Sequence, residues 1–360
     1  MSLLILENGF ADLLRSRIPL GEYFRSEGIE VYYACPNPER ESIYEVPMSR
    51  NRIAPLTLIR GLLKVRYIEK KLDVESLLSF RFIPNVINYL ASFTNKKVER
   101  VAVITGLGYA FVSSNESVSS TLQRLIIKWF YRIASKRIQI VAQNPDDLLD
   151  LGLMNGKVVL GSGVDSHDME KSGGLTTNSI QLLFVGRLLK SKGIQIVVDV
   201  FEQLRALNPN ASLTIAGTID EQNPDSINAV ELAKLKNMEG VNYLGFVENM
   251  SLVYTKCNVL LFPSNYREGI PRVIIEALKF GLTIVTKDMP GCKETVRGNG
   301  FLIGENYVVE DVVDFLSSLN TSYLLKNKKV SIELFKNTFS SDVVYPKYLK
   351  ILRNHKMRSK

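Results

Sequence analysis

Apolar positions along the chain fall into two periods that alternate with each other. Leu3–Leu6 is a short apolar run closed by Asn8-Gly9, which reads as a strand ending in a tight turn. Ile18, Leu20, Tyr23 and Phe24 then fall at helical spacing, Gly28 closes that segment, and Ile29–Cys35 is again strand-like. Strand, helix and strand in this order make the βαβ unit of a parallel sheet. Val98–Thr105 and Ile138–Gln143 read as further buried strands. The rhythm restarts with a strand at Ile180–Val185, a helix over Gly193–Leu207 and a strand at Ser212–Ala216, and continues through Val241–Leu244, Val259–Phe262 and Thr283–Thr286. Between the two series lies Gly161–Ser179, rich in Gly, Ser, Thr and Asp, which is the expected linker. The pattern predicts two α/β domains, 1–165 and 166–340.

Composition narrows the classes. The 360 residues are 46% hydrophobic and 23% charged, as in globular proteins. Cys35, Cys257 and Cys292 are scattered and show no CxxC spacing, which argues against a disulfide framework or zinc ribbon and fits a reducing cytoplasm. The opening Met1–Glu7 meets an acid before a signal-peptide core could form, and nowhere do the apolar residues run long enough to span a bilayer. A cytoplasmic location is expected. The net charge of +8 is unevenly spread. Residues 1–165 hold 21 Lys+Arg against 17 Asp+Glu, whereas 166–342 hold 18 against 20 and the last 18 residues hold six basic groups and no acid. The surplus suits an anionic partner: nucleic acid, a phosphorylated metabolite or an anionic membrane.

Motifs separate these partners. Gly106-Leu-Gly108 follows a strand, but Phe111 occupies the third glycine position of a dinucleotide fingerprint and no acid follows at ribose-binding distance, so a tight turn is the better reading. Asp165, His167 and Asp168 read as solvated loop residues, and no Asp-x-Asp exists to clamp a metal on a diphosphate. Leu183–Gly193 (LFVGRLLKSKG) ends a strand in a loop that presents Arg187, Lys190 and Lys192 just before a helix N-terminus, an anion seat or, equally, an ordinary solvated connection. Phe262–Gly281 (FPSNYREGIPRVIIEALKFG) carries Glu268 on a loop and Glu276 inside the following helix, with Pro271 at its start. Two carboxylates so placed can accept hydrogen bonds from a polyhydroxylated ligand, and Gly269 lets backbone approach it.

Together these stretches resemble the family 4 glycosyltransferases, which have the GT-B fold: two Rossmann-like domains facing a cleft. The likeness extends to Arg17-Ile-Pro-Leu20, Thr105-Gly-Leu-Gly-Tyr109, Gln143-Asn-Pro-Asp146, Gly161-Ser-Gly-Val-Asp165 and Pro290-Gly-Cys-Lys-Glu294. It is similar above all to the bacterial members that build O-antigen, capsule and other surface polysaccharides. The resemblance implies an N-terminal acceptor-side domain, a C-terminal donor domain, and a helix at 341–360 crossing back to the first. It implies retaining transfer of a hexose or N-acetylhexosamine from a nucleotide-diphosphate sugar, with UDP expected, to a glycan acceptor on a polyprenyl diphosphate. Arg187 and Lys192 would neutralise the leaving diphosphate without a metal. Glu268, with backbone at Gly269 and Ile270, would hold the donor sugar, and Glu276 the ribose; Gly9 and Arg17 are acceptor-side candidates. Many members place a histidine near the reacting sugar in the first half, whereas the histidines here are His167 and His355.

Two other classes stay open at this stage, a non-catalytic nucleotide-sugar binding module and a nucleic-acid-binding protein, though no basic-aromatic recognition motif supports the latter. An anionic membrane is a further expected partner, which would make the chain peripheral on the inner face of the cytoplasmic membrane. Arg124, Lys128, Arg132 and Lys136 recur every four residues beside Leu122, Leu125, Ile126, Trp129, Phe130 and Ile133, and Arg60, Lys64 and Lys71 form a second basic helix. Lys347, Lys350, Arg353, Lys356, Arg358 and Lys360 could extend that surface. Apolar faces at this spacing equally serve to pack a domain's own core.

Overall fold

A computed structural model describes residues 1–49, 54–111, 118–169 and 179–358, and for 109 and 355–358 their backbone alone. Residues 170–178 of the expected linker, Ser113-Ser114-Asn115 after the Gly106 turn, and Lys360 lie outside the described residues, as do the side chains of His355, Lys356 and Arg358. The chain divides into two units, Met1–Gly163 with Ser341–Lys360, and Val164–Ser340.

The first unit holds seven parallel strands, β1 (Ser2–Leu6), β2 (Glu30–Cys35), β3 (Tyr44–Glu45), β4 (Ser76–Phe80), β5 (Glu99–Ile104), β6 (Gln139–Ala142) and β7 (Lys157–Val158), in the order β3-β2-β1-β4-β5-β6-β7. Its inner strands are buried on both faces, as parallel sheets are when helices cover them. On one face Leu3, Ile5, Leu78, Phe80, Val101 and Val103 pack beneath helix α1 (Ile18–Ser26) and the helix Ser341–Arg358. The other face carries α2 (Pro55–Lys71), α3 (Phe82–Ala91) and α4 (Val118–Ala134). Helix α2 packs Val65 and Ile68 over Leu4 and Leu6, while α4 packs Phe130, Tyr131 and Ala134 over Ala102, Ile104 and Ile140.

β4 has no counterpart in the apolar pattern, and the reason is polar. Ser76 and Ser79 interrupt it, and only one residue, Arg81 at φ 73°, separates it from α3. Ser79 is tolerated inside because α3 supplies its partners. Ser79 Oγ donates to Asn85 Oδ1 at 2.7 Å and accepts from Asn88 Nδ2 at 2.8 Å, and Asn85 Nδ2 donates to the Val103 carbonyl at 3.0 Å. Beside them Arg100, buried on β5, meets buried Glu69 of α2 at 2.8 Å and donates to Asn88 Oδ1 at 3.2 Å. Such a network supports the fold only while every member keeps its partner.

The second unit has six parallel strands, β8 (Gln181–Val185), β9 (Ser212–Ala216), β10 (Val241–Gly245), β11 (Val259–Phe262), β12 (Thr283–Lys287) and β13 (Gly300–Ile303), in the order β10-β9-β8-β11-β12-β13. Helix α5 (Ile194–Leu207) follows β8 and buries Ile194, Val197, Val200, Phe201 and Leu204; α6 (Arg272–Lys279) follows β11 and buries Ile274, Ile275, Ala277 and Leu278. The strand order reverses between β1 and β4 in the first unit and between β8 and β11 in the second. At such a reversal the loops after the two strands diverge and leave a crevice at the carboxyl ends, where open α/β sheets bind ligands.

Glu69→Gln should strand the Arg100 guanidinium in the interior without a counter-charge, a loss of about 3 kcal/mol. A clear fall in the urea midpoint, read by circular dichroism, is expected; the exposed control Glu305→Gln should leave it unchanged. Equal midpoints would remove the buried pair from the account of stability.

Candidate active site

In the second unit the loops after β8 and β11 converge at the strand-order reversal. After Val185 the chain turns through Arg187, Leu188 and Leu189, then forms one tight turn, Lys190–Lys192, that runs through Gly193 into α5. Gly193 adopts φ 79°, and a Cβ there would stand 2.4 Å from the Pro263 carbonyl oxygen. Only glycine lets the two loops come this close. Asn265 N–H donates to the Ser191 carbonyl at 2.8 Å, tying them a second time. The β8 loop is braced from its other side: Ser191 N–H donates to Asp225 Oδ2 at 3.0 Å, and Lys190 N–H to the Asp225 carbonyl at 2.8 Å.

Lys192 Nζ forms an ion pair with Glu268 Oε1 across the two loops. Both side chains are largely withdrawn from water, the lysine to 15% exposure. Its ammonium lies 5.4 Å from the Phe262 ring centroid and 5.3 Å from that of Tyr266, close enough for cation–π attraction. Burial pulls the Lys192 pKa down to about 8; the neighbouring Cys292 side chain opposes that shift and the Arg187 charge adds to it. The touching Glu268 carboxylate also works against burial by favouring the charged lysine. This corrects one expectation from the sequence. Lys192 does not sit on a solvated loop, because rings from β11 and its loop close over it.

The Glu268 loop is shaped by a third loop, after β12. Gly291 adopts φ 91°, and a Cβ there would stand 2.0 Å from the Gly269 carbonyl oxygen. Ile270 is buried, and Pro271 caps α6, which begins one residue later, at Arg272. Glu276 lies inside α6 and is held by two neighbours: Arg272 Nε donates to Oε1 at 2.8 Å and the Tyr254 hydroxyl to Oε2 at 3.0 Å. Exposed Arg187 donates from Nη1 to Asp220 Oδ2 at 2.7 Å. The structure thus joins Lys192 directly to Glu268, while Arg187 and Glu276 hold ion pairs of their own. Asp220, Asp225 and Tyr254 escape a reading by spacing because each lies on a different loop or helix from its partner. Arg272 alone left a signal, four residues before Glu276 on one helix.

In the first unit, Gly9 follows β1 in extended conformation and caps a short helix, Phe10–Asp12. Arg17 is buried: its Nε meets Glu7 Oε2 at 2.8 Å and its guanidinium lies 3.6 Å from the Phe80 ring centroid. Arg81, which no motif singled out, occupies the end of β4 at the strand-order reversal. Its Nη2 reaches Asp12 Oδ2 at 2.9 Å and its Nε lies 3.4 Å from Glu7 Oε1. Its left-handed backbone was the missing signal, since arginine is not a residue from which that conformation is read. Asp165 accepts from the His167 N–H at 3.0 Å and pairs with Lys279 at 3.3 Å.

Residues 165–330, which include Arg187, Lys192, Glu268 and Glu276, match the family described as glycosyl transferases group 1. The second unit belongs to the group 1 glycosyltransferases. Two relatives extend the similarity over nearly the whole glycosyltransferase. The N,N'-diacetylbacillosaminyl-diphospho-undecaprenol alpha-1,3-N-acetylgalactosaminyltransferase of Campylobacter jejuni is 24% identical over 96% of each chain. The capsular polysaccharide biosynthesis glycosyltransferase CapM of Staphylococcus aureus is 23% identical over 92% of this chain and 91% of that one. Among solved structures, a glycosyltransferase from Rickettsia africae matches with a TM-score of 0.77 at 19% identity over 98% of both chains. Anabaena Alr3699/HepE, solved with UDP, matches with a TM-score of 0.77 at 17% identity over 98% of this chain and all of the other. The expected GT-B fold class is borne out by these neighbours, and the family resemblance by the matched family and relatives.

The microenvironment of Lys192 in this glycosyltransferase can be tested without substrate. Trace acetylation with acetic anhydride, read by peptide mass spectrometry across pH, should give a midpoint for Lys192 near 8, below that of exposed lysines. Glu268→Gln removes the carboxylate that favours the ammonium and should lower the midpoint further. A midpoint in the ordinary lysine range would contradict the burial argument.

Proposed function

We propose that this glycosyltransferase moves a hexose or N-acetylhexosamine from a nucleotide-diphosphate sugar, with UDP as the nucleotide, to a polyprenyl-diphosphate-linked glycan at the inner face of the cytoplasmic membrane, with retention at the anomeric carbon. The observation that carries the reading is the Lys192–Glu268 pair at the strand-order reversal of the second unit. It sets a cation for phosphate beside an acceptor for sugar hydroxyls, the two halves of a nucleotide-sugar's polar surface. The acceptor class is supported by the Campylobacter relative, whose name specifies a diphospho-undecaprenol substrate, and the donor class by HepE, solved with UDP-glucose.

The hard step is departure of the nucleoside diphosphate from an oxocarbenium-like carbon. Charge grows on the leaving phosphate, where fixed cations lower the barrier most. Lys192 exchanges its Glu268 partner for a phosphate oxygen as the donor enters, and Arg187 neutralises the second charge. Freed Glu268 accepts hydrogen bonds from the sugar hydroxyls, with backbone at Gly269 and Ile270 alongside. Glu276, already oriented by Arg272 and Tyr254, takes the ribose hydroxyls. The bond from the anomeric carbon to phosphate breaks and the bond to the acceptor oxygen forms on the same face, while the acceptor's proton passes to the departing phosphate. Gly9 and Arg81 border the first unit's crevice and serve the acceptor. Arg17, buried beneath them, orients Glu7, which in turn meets Arg81.

The direct test is mass-spectrometric turnover of a panel of nucleotide sugars with a polyprenyl-diphosphate acceptor. One UDP-sugar should be consumed and its sugar found on the acceptor in the same anomeric configuration; no transfer from any UDP-sugar would contradict the proposal. Glu268→Ala and Lys192→Ala should each lower kcat by about 100-fold or more. Glu276→Gln should chiefly raise KM for the donor, because the ribose contact persists through the reaction. Turnover should survive EDTA, since Arg187 and Lys192 match the diphosphate charge; loss of activity restored by added Mg²⁺ would transfer that role to a metal. A charged Lys192 with a pKa of about 8 further requires kcat/KM to fall as pH rises through that value. Lys192→Arg, charged throughout, should lack the alkaline fall.

A further inference from the structure

Helices α2 and α4 lie in the same helical layer of the first unit, and each turns a second apolar stripe away from the core. On α4, Leu122, Leu125, Ile126 and Trp129 are exposed, Trp129 to 67% and Leu125 to 60%, while Phe130, Tyr131 and Ala134 make the buried contacts. On α2, Leu56, Ile59, Leu63 and Tyr67 are exposed, Leu56 to 73%, while Val65 and Ile68 pack inward. At 100° per residue these positions form one strip along each helix. The core explanation that usually accounts for such spacing is therefore already satisfied by other residues.

Charge identifies the occupant. Helix α4 contains Arg124, Lys128 and Arg132 and no acid, and the three lie along one flank of its apolar strip. Arg132 Nε donates to the Leu151 carbonyl, a neutral acceptor that leaves its positive charge in place. Helix α2 contains Arg60, Lys64, Arg66, Lys70 and Lys71, all exposed, against a single acid, Glu69, which is buried on Arg100. Its basic residues border the apolar strip on both sides. An exposed apolar strip edged by cations matches the boundary between acyl chains and anionic headgroups, where the strip enters the bilayer and the cations meet phosphate. Among the described residues no helix is long and apolar enough to cross a membrane, so attachment here is by a face.

The geometry points to a reversible docking surface for an anionic lipid bilayer, formed by the outer faces of α2 and α4. This inference rests on the first unit alone and stands whether or not the proposed glycosyl transfer is correct. Trp129, the one tryptophan in the chain, lies in the strip and reports on it directly. Phosphatidylglycerol-containing vesicles should shift its emission to the blue, protect it from acrylamide and carry the protein to the pellet; pure phosphatidylcholine vesicles should do none of these. Added salt should weaken the binding. Arg60→Glu, Lys64→Glu and Lys71→Glu together should lower partitioning by about 100-fold or more, given the contribution of each basic group near an anionic surface. Leu122→Ser with Leu125→Ser should lower it as well; all five side chains are exposed, and circular dichroism checks that the fold is kept. Binding that ignores salt and charge reversal, equal binding to phosphatidylcholine, or no Trp129 response to anionic vesicles would overturn the inference. So would a blue shift that appears without lipid as protein concentration rises, which would assign the face to a second copy of the chain.

Discussion

A lysine and a glutamate drawn partly out of water hold two loops of the second unit together. Lys192 and Glu268 belong to connections after β8 and β11, neighbouring strands at which the chain's direction of travel across the sheet reverses. Withdrawing an ion pair from water costs more than its Coulomb attraction returns unless other groups contribute. Here the aromatic rings of Phe262 and Tyr266 flank the ammonium, and the backbone bond from Asn265 to Ser191 fixes the distance between the loops. Gly193 and Gly291 allow the close approach, each at a backbone conformation and spacing where a Cβ would collide with a carbonyl of the neighbouring loop. The result is a charged pair held in place between two loops.

The sheet strands were largely legible because a parallel sheet covered on both faces leaves nearly unbroken apolar runs. Ser212–Ala216 and Val259–Phe262 coincide with β9 and β11. β4 was not legible, since its serines look polar in sequence and the partners of Ser79, Asn85 and Asn88, lie on the next helix. The residues of the second unit's crevice were legible as types at a spacing, but their states were not. Lys192 looks like one of three loop cations until β11 and its loop bring Phe262 and Tyr266 across, and Glu276 looks like a surface carboxylate until Tyr254 and Arg272 fix it. Arg81 illustrates the opposite failure. Nothing in its neighbourhood of the sequence marks a turn, yet it bends between β4 and α3 in a single residue and meets both Glu7 and Asp12.

The uneven charge also finds a physical account. Three acids of the second unit are occupied in shaping its crevice: Asp220 on Arg187, Asp225 on the Ser191 turn, Glu276 on Arg272. In the first unit Glu7 and Glu69 are buried on arginines, whereas the cations of α2 stay at the surface. A modest net surplus thus becomes a concentrated basic face next to exposed apolar side chains.

The central claim, that Lys192 is a phosphate seat provisionally filled by Glu268, makes opposite demands on the two partners. Calorimetric titration of UDP into the wild-type protein, Lys192→Met and Glu268→Gln tests it most directly. The account predicts that Lys192→Met loses UDP affinity by at least about 10-fold, the worth of one charge-assisted hydrogen bond. Well below the Lys192 midpoint, where the amine stays charged, Glu268→Gln should instead bind UDP more tightly than wild type, because the competing carboxylate is gone and UDP carries no transferable sugar for it to hold. Equal UDP affinity in all three proteins, or a loss in Glu268→Gln as large as in Lys192→Met, would contradict it.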